Sequence, residues 1–140
     1  MEIQELINIL HEGNYSCVIH NGTTRTFSQK GVLDLYTLLK NEPSFLEGAA
    51  VADRVVGKAA ATLLMIGKVK TVYADVISRT ALTLLQGEGI ETNCGMAVPF
   101  IENRSKTDWC PLEKICYEED SAEKILELIE TFINAMKNSN

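Results

Sequence analysis

The spacing of apolar residues predicts that the chain begins and ends in amphipathic helices. Ile3, Leu6, Ile7 and Leu10 recur at helical spacing, and Gly13 is expected to end that first helix. Near the other end, apolar residues recur about every 3.6 positions; they are Ile125, Leu128, Ile129, Phe132, Ile133 and Met136. Each helix is therefore expected to pack its apolar side on a core.

Runs of β-branched and other apolar residues predict five strands between these helices. They are Tyr15–His20, Thr23–Phe27, Gly48–Ala52, Thr71–Ile77 and Ile90–Val98. The first two flank Asn21-Gly22, a dipeptide that favours a type I′ hairpin turn. The fourth strand is mostly apolar, as expected for a buried strand.

Helical patterns separate the later strands, and polar residues stand where those helices begin. Asp53 is predicted to be the N-cap after the third strand, Ser78 after the fourth, and Asp120 or Ser121 before the last helix. This order predicts one domain, residues 1–140, with a three-layer α/β/α sandwich and a mixed five-stranded sheet. The late strands are expected to be parallel, with right-handed crossovers.

Two basic residues stand where the helix after the third strand is predicted to begin. Arg54 and Lys58 are four positions apart, so on a helix they would share one stripe and repel each other. The helix dipole also disfavours positive charge in the first turns. Something negative is therefore expected beside them, either a bound anion or a carboxylate. A solvated stripe paired with surface acids is the simpler interpretation.

Gly57-Lys58 is not part of a nucleotide-binding phosphate loop. The glycine before it is Gly48, and Ala59 follows where that motif requires Ser or Thr. A glycine inside a helix lowers stability by roughly 1 kcal/mol relative to alanine. Gly57 with Ala59, Ala60 and Ala61 is therefore interpreted as a narrow helix segment for close packing against a sheet or a ligand.

A long polar loop, Pro99 to Pro111, is the second segment with candidate chemistry. Loops of this length in compact domains are usually functional or disordered, and its aromatic residues argue against disorder. Asn103 and Arg104 carry donors for a carboxylate or phosphate. Cys110 has basic neighbours in sequence that favour a thiolate, so it is a candidate nucleophile; a structural cysteine is the default.

Composition narrows the classes of partner. The net charge is −6, and the segment from Glu118 onward, with six acids and two lysines, accounts for −4 of it. This distribution argues against binding to duplex nucleic acid, which requires a basic surface. No apolar run has the length of a membrane span, and the first residues lack a signal-peptide pattern. A cytoplasmic protein with no membrane association is expected.

The cysteines and histidines do not have the spacing of a metal site. There is no Cys-x-x-Cys, and the two histidines, His11 and His20, do not form a ligand pair. In a cytoplasmic protein the four cysteines are expected to be thiols. The sequence thus predicts no metal and no cofactor.

Several segments together resemble an uncharacterised bacterial and archaeal family with a cytidine-deaminase-like fold. They are the helix–hairpin–helix opening, Val51-Ala-Asp-Arg-Val-Val-Gly-Lys-Ala-Ala-Ala61, Val76-Ile-Ser78 and Cys110-Pro-Leu-Glu113. The resemblance spans nearly the whole chain. It implies a deaminase-like α/β sandwich, a fold that often dimerises, and therefore a possible homodimer.

The resemblance does not imply zinc-dependent deamination. That chemistry uses His/Cys-x-Glu on one helix and Pro-Cys-x-x-Cys on the next, and the helices here begin Asp53-Arg54-Val55 and Ser78-Arg79-Thr80. The implied geometry has both helix N-termini facing one pocket, with Asp53, Arg54, Lys58 and Ser78 around it and the Asn103–Glu113 loop over it.

Three functions follow as hypotheses. The leading one is the binding of a small anionic or nucleotide-like ligand by Arg54, Lys58, Ser78, Asn103 and Arg104. The second is metal-independent catalysis by Cys110 as nucleophile, with Asp53 or Glu113 as acid/base partner. The third is a dimeric regulatory or structural module without a ligand.

Overall fold

The chain folds as a mixed five-stranded open sheet with helices on both sides, as the sequence predicts. The computed structural model describes residues 2–29, 32–103 and 105–137. The elements in chain order are α1 (Ile3–Glu12), β1 (Cys17–Asn21), β2 (Thr23–Phe27), α2 (Leu33–Asn41), α3 (Pro43–Leu46), β3 (Ala50–Val56), α4 (Lys58–Ile66), β4 (Thr71–Ser78), α5 (Arg79–Gly87), β5 (Glu91–Val98), α6 (Pro111–Cys116) and α7 (Ala122–Lys137).

The strand order across the sheet is β2-β1-β3-β4-β5. β1 is antiparallel to both β2 and β3, whereas β3, β4 and β5 are parallel. The predicted parallel arrangement of the late strands is therefore confirmed. The carboxyl ends of the three parallel strands lie along one edge, where ligands bind in many open α/β sheets.

Helices cover the two faces of the sheet unequally. On one face α1 packs Leu6 and Leu10 against Val18 and Ala52 in a small core. On the other face a larger core joins α2, α4, α5, α6 and α7 to the sheet. Most of the helices that could surround a site at the carboxyl ends of the parallel strands therefore pack in this larger core.

The predicted end of the third strand is wrong by four residues. The strand continues to Val56, because Val55 and Val56 favour extended backbone and pair with Val76 and Ile77 of β4. Asp53 is thus a strand residue and not a helix N-cap. Its carboxylate accepts a hydrogen bond from the Val55 N–H at 3.3 Å, the pattern of an Asx-turn within the strand.

The hairpin also differs from the predicted type I′ turn. Asn21 pairs with Thr23 across the turn, and only Gly22, at φ 78°, has left-handed backbone there. A type I′ turn needs positive φ at both central residues. The Asn21 side chain instead donates to the carbonyls of Phe45 and Glu47, at 3.0 and 2.9 Å, which ties the turn to α3.

The buried alternation along β3 and β4 changes phase at one row of the sheet. Asp53 and Val55 pair with Ala74 and Val76, but the row between them, Arg54 and Asp75, is absent from the ladder. Beyond this row Val56 is fully buried in the same core as Val51, although the two are five positions apart and strict alternation would place them on opposite faces. This change leaves Asp53 beside the larger core and Arg54 beside α1.

Ser78 begins α5, as predicted, and the structure gives a stability test of that cap. The Ser78 hydroxyl is fully buried and accepts a hydrogen bond from the Ala81 N–H at 3.2 Å. We expect Ser78→Ala to lower the free energy of unfolding by about 1 kcal/mol, because the amide loses its acceptor. Urea titration measures this change. A much smaller change is expected for Ser121→Ala, whose hydroxyl lies 3.4 Å from the Lys124 N–H at an exposed position; equal changes would contradict the assignment.

Candidate functional site

A cavity of about 510 Å³ lies at the carboxyl end of β3. Its walls come from the segment before β1, the start of α2, the end of β3, the start of α4, and the β5–α6 loop with α6. The volume is in the range of small-molecule sites. Side chains far apart in sequence therefore meet at the edge of the sheet where the fold favours a ligand.

Five of the predicted site residues line this cavity: Asp53, Arg54, Lys58, Cys110 and Glu113. Ser78 and Asn103 are not in its lining, and Arg104 is outside the described residues. The two helix N-termini expected from the resemblance therefore do not share one pocket, since α4 begins at the cavity and Ser78 is buried as the cap of α5.

Asn103 organises the tip of the β5–α6 loop. Its side-chain oxygen accepts from the Thr107 N–H at 3.1 Å, and its amide donates to the Thr107 hydroxyl at 3.2 Å. A backbone bridge between Glu102 and Trp109 brings the two sides of the loop together. The donors expected to face a ligand at Asn103 are used within the loop.

Arg54 does not share a helix with Lys58, which corrects the expected repulsive stripe. It lies in β3 and reaches the carboxyl end of α1, where Nε donates to the Tyr15 carbonyl at 3.0 Å and a terminal nitrogen donates to the Leu10 carbonyl at 3.3 Å. Its other terminal nitrogen is 3.6 Å from a carboxylate oxygen of Asp75. The helix dipole favours positive charge at this end of a helix, so Arg54 stabilises α1.

Lys58 is the first residue of α4, where positive charge is disfavoured as predicted. Its ammonium is buried and donates to the Tyr117 carbonyl, just beyond α6, at 2.8 Å. Its backbone N–H donates to Glu113 at 3.0 Å. A carboxylate is thus present at the start of α4, as one of the two expectations has it, but it bonds the Lys58 backbone and not the ammonium.

Glu113 has a structural function that the sequence analysis did not anticipate. The side chain is only 3% exposed, and its second oxygen accepts from the Ile101 N–H at 2.9 Å. One carboxylate thereby joins α6, the start of α4 and the β5–α6 loop. Both oxygens hold backbone donors, so Glu113 is poorly placed to move a proton as an acid/base group.

Gly57 is the N-cap of α4 and not an interior helix residue, which corrects its interpretation as a break in a helix. A Cβ at Gly57 would lie 2.9 Å from a Glu113 carboxylate oxygen and 3.2 Å from the Ile101 side chain. The glycine is therefore required by the close approach of Glu113.

Asp53 forms the sheet side of the cavity together with Cys17, which was not predicted. The two residues are partners across β1 and β3. Burial raises the pKa of Asp53 to about 7, against the lowering effect of hydrogen bonds from Val55, Arg54 and Cys17. Burial, and then the Asp53 charge, raise the pKa of the Cys17 thiol well above its ordinary value. Asp53 is therefore a carboxyl that titrates near neutral pH.

Asp34 is a further carboxyl residue of the cavity lining, and the sequence analysis missed it. It lies in the first turn of α2, and its Oδ2 is buried without a hydrogen-bond partner in the described part of the chain. Burial raises its pKa. In the sequence, only the position of Asp34 between the apolar residues Val32 and Leu35 could have indicated a buried carboxyl group. An acid at the start of a helix more often caps it.

Cys110 lines the cavity at the end of the β5–α6 loop. Its N–H donates to the Ile101 carbonyl at 2.8 Å, so its backbone is held at the loop base. The histidines lie elsewhere, with His11 on Asp75 and His20 on Thr24. Cys110 therefore lacks the imidazole partner of many thiol enzymes.

No three His, Cys, Asp or Glu side chains are grouped closely enough to hold a metal ion, as far as residues 2–29, 32–103 and 105–137 show. Within the same ranges no helix is both long and apolar enough to cross a membrane.

Comparison with known proteins gives a family and a fold. Residues 5–133 match the family model TM1506, described as a domain of unknown function (DUF1893). The crystal structure of a DUF1893 family protein (TM1506) from Thermotoga maritima is similar at TM-score 0.85 and 28% identity, covering 92% of this chain and 88% of that one. RibD of Acinetobacter baumannii (form 2) is similar at TM-score 0.44 and 18% identity, and the match covers 66% of this chain and 34% of RibD. No curated protein matches significantly.

The contacts of Glu113 predict a large effect of its removal. We expect Glu113→Ala to lower the free energy of unfolding by about 2–4 kcal/mol, because the Lys58 and Ile101 N–H groups both lose a buried acceptor. Chemical denaturation followed by circular dichroism measures the loss. Glu118→Ala, at an exposed position just after α6, is the control and should change stability by less than about 0.5 kcal/mol. Similar losses in the two variants would contradict the structural role of Glu113.

Proposed function

We propose that this chain, which belongs to the DUF1893 family, binds a small organic molecule in the cavity at the carboxyl end of β3. The observation that carries the proposal is the cavity of about 510 Å³, walled by three helices, two strands and a loop. Apolar side chains such as Val32, Leu35 and Leu112 line it together with a few polar groups. This combination is typical of small-molecule sites.

The charge of the ligand follows from the groups that the protein leaves available. The sequence predicts an anionic or nucleotide-like ligand held by Arg54, Lys58 and Arg104. Arg54 is bonded to α1 and near Asp75, and Lys58 is bonded to Tyr117. The Asp34 Oδ2 has no hydrogen-bond partner among the described residues, and no cationic side chain is bonded to Asp53 there. Geometry therefore favours a ligand with hydrogen-bond donors over an anion, and an anion remains the alternative.

A side chain that fills the cavity should abolish binding. Val55 lines the cavity and is 45% exposed, so Val55→Trp should fold and occupy the space. Met96 lies in the same sheet row, is 60% exposed and is not in the lining, which makes Met96→Trp a matched control. Native mass spectrometry of freshly purified protein should show a co-purifying small molecule on wild type and Met96→Trp, and not on Val55→Trp. Identical spectra for all three would contradict the proposal.

Catalysis by Cys110 is the second candidate, and the position of this thiol in the same cavity favours it. In the reducing cytoplasm that the sequence predicts, the residue would be a free thiol. If it is a nucleophile, iodoacetamide should modify Cys110 in the folded protein faster than the other cysteines, and well below pH ~8.5, the ordinary thiol pKa. Peptide mass spectrometry across pH measures this. Labelling that becomes appreciable only above that pH would leave ligand binding without covalent chemistry.

A further inference from the structure

Among the described residues, the ion pairs and hydrogen bonds around the cavity leave carboxyl groups without a cationic partner. Arg54 and Lys58 donate to backbone carbonyls, and Glu113 accepts two backbone N–H groups. Asp34 and Asp53 have no cationic side chain bonded to them within the described residues. The part of the cavity beside Cys17 is therefore the part that attracts positive charge.

We propose that Asp34 and Asp53 recognise a cationic nitrogen group, an ammonium or amidinium, on the small molecule that the cavity binds. The inference rests on the proposed function and names the chemical class of its ligand. An amidinium or ammonium offers several N–H donors, and charge-assisted hydrogen bonds to carboxylates are stronger than neutral ones. The apolar side chains that line the cavity would contact the rest of the molecule.

Asp53 is held in position by hydrogen bonds from the protein and keeps one acceptor position for a ligand. Its pairing with Cys17 across antiparallel strands fixes the carboxyl at the cavity wall. Its carboxylate accepts hydrogen bonds from the Val55 N–H, at 3.3 Å, from the Arg54 N–H and from the Cys17 thiol. Because a carboxylate has about four acceptor positions, one position remains for a donor from the ligand.

Asp34 supplies an acceptor that the protein leaves unused. Its Oδ2 is buried without a partner among residues 2–29, 32–103 and 105–137, and such atoms are rare because a lost hydrogen bond is costly. The Asp34 carboxylate also accepts a hydrogen bond from the Gln29 backbone, and the residue is part of the cavity lining. A ligand donor would then satisfy Oδ2.

The binding should depend on pH because Asp53 must be ionised to hold a cation. The charged or titratable groups that act on Asp53 are Cys17 of β1 and Asp75 of β4, with Arg54 beside it in β3; Asp34 of α2 acts on the same thiol. Burial raises the pKa of Asp53 to about 7. Affinity for a cation is therefore low below this pH and rises as the pH increases through it.

Three probes of nearly equal shape test the ligand class: benzamidinium, benzamide and benzoate. Isothermal titration calorimetry at pH 8 should show benzamidinium binding at least about tenfold more tightly than benzoate, with benzamide between them.

Variants of the two carboxyl residues test their part in this binding. Asp53→Asn and Asp34→Asn should each lower the affinity for benzamidinium by about tenfold or more. Glu91→Gln, the same change at an exposed position of β5 outside the cavity lining, should have no effect. From pH 6 to 8 the benzamidinium affinity should rise in wild type and stay flat in Asp53→Asn.

The outcomes separate this inference from the proposed function. If benzoate binds as tightly as benzamidinium, and Val55→Trp abolishes both, the cavity binds ligands and the cationic class is wrong. If benzamidinium binds but neither Asp variant weakens it, the two carboxyl groups do not recognise it. If none of the probes binds wild type at millimolar concentration, the inference is overturned; the proposed function then depends on the co-purification experiment alone.

Discussion

The buried carboxylate of Glu113 holds together the parts of the chain that form the cavity. Its two oxygens accept the backbone N–H groups of Lys58 and Ile101, which are far apart in sequence. The helix dipole favours a negative charge at the start of α4, and Gly57 allows the carboxylate to approach that closely. This contact therefore ties the β5–α6 loop and α6 to the start of α4, beside the end of β3.

The basic side chains at the cavity, Arg54 and Lys58, donate to backbone carbonyls near the carboxyl ends of other helices, where the helix dipole favours positive charge. Arg54 donates to the Leu10 carbonyl in the last turn of α1 and to the Tyr15 carbonyl beyond that helix, and the Lys58 ammonium donates to the Tyr117 carbonyl beyond α6. Aromatic contacts support this second arrangement, since Trp109 stacks on Phe100 and meets Tyr117 edge-on. The basic residues at the cavity thus bond to backbone groups and stabilise the fold.

Much of the fold could be predicted because it follows from local patterns. The helical stripes, the five strands and the Ser78 cap all depend on residues near one another in sequence. The end of β3 was mispredicted because Asp53 is a good N-cap in isolation, whereas pairing of Val55 and Val56 with β4 extends the strand. α3 and α6 were not predicted as helices, although each begins with a proline at its first position.

The candidate site could be predicted only in part, for a related reason. The sequence indicates which residues carry charge, but the partner of each charge is set by tertiary contacts. Arg54 and Glu113 were placed at the cavity correctly, yet both are bonded to backbone groups from distant segments. Asp34 and Cys17 were missed because each is an ordinary residue in its own element, and only the fold brings them beside Asp53.

Amide hydrogen exchange measured by NMR tests the central role of Glu113 most directly. Ile101 lies in a loop, where backbone N–H groups usually exchange fast, whereas the Lys58 N–H begins a helix. If one carboxylate holds both, the two amides are protected to a similar extent in wild type and lose protection together in Glu113→Ala. Fast exchange of Ile101 in wild type, with Lys58 still protected, would contradict the account.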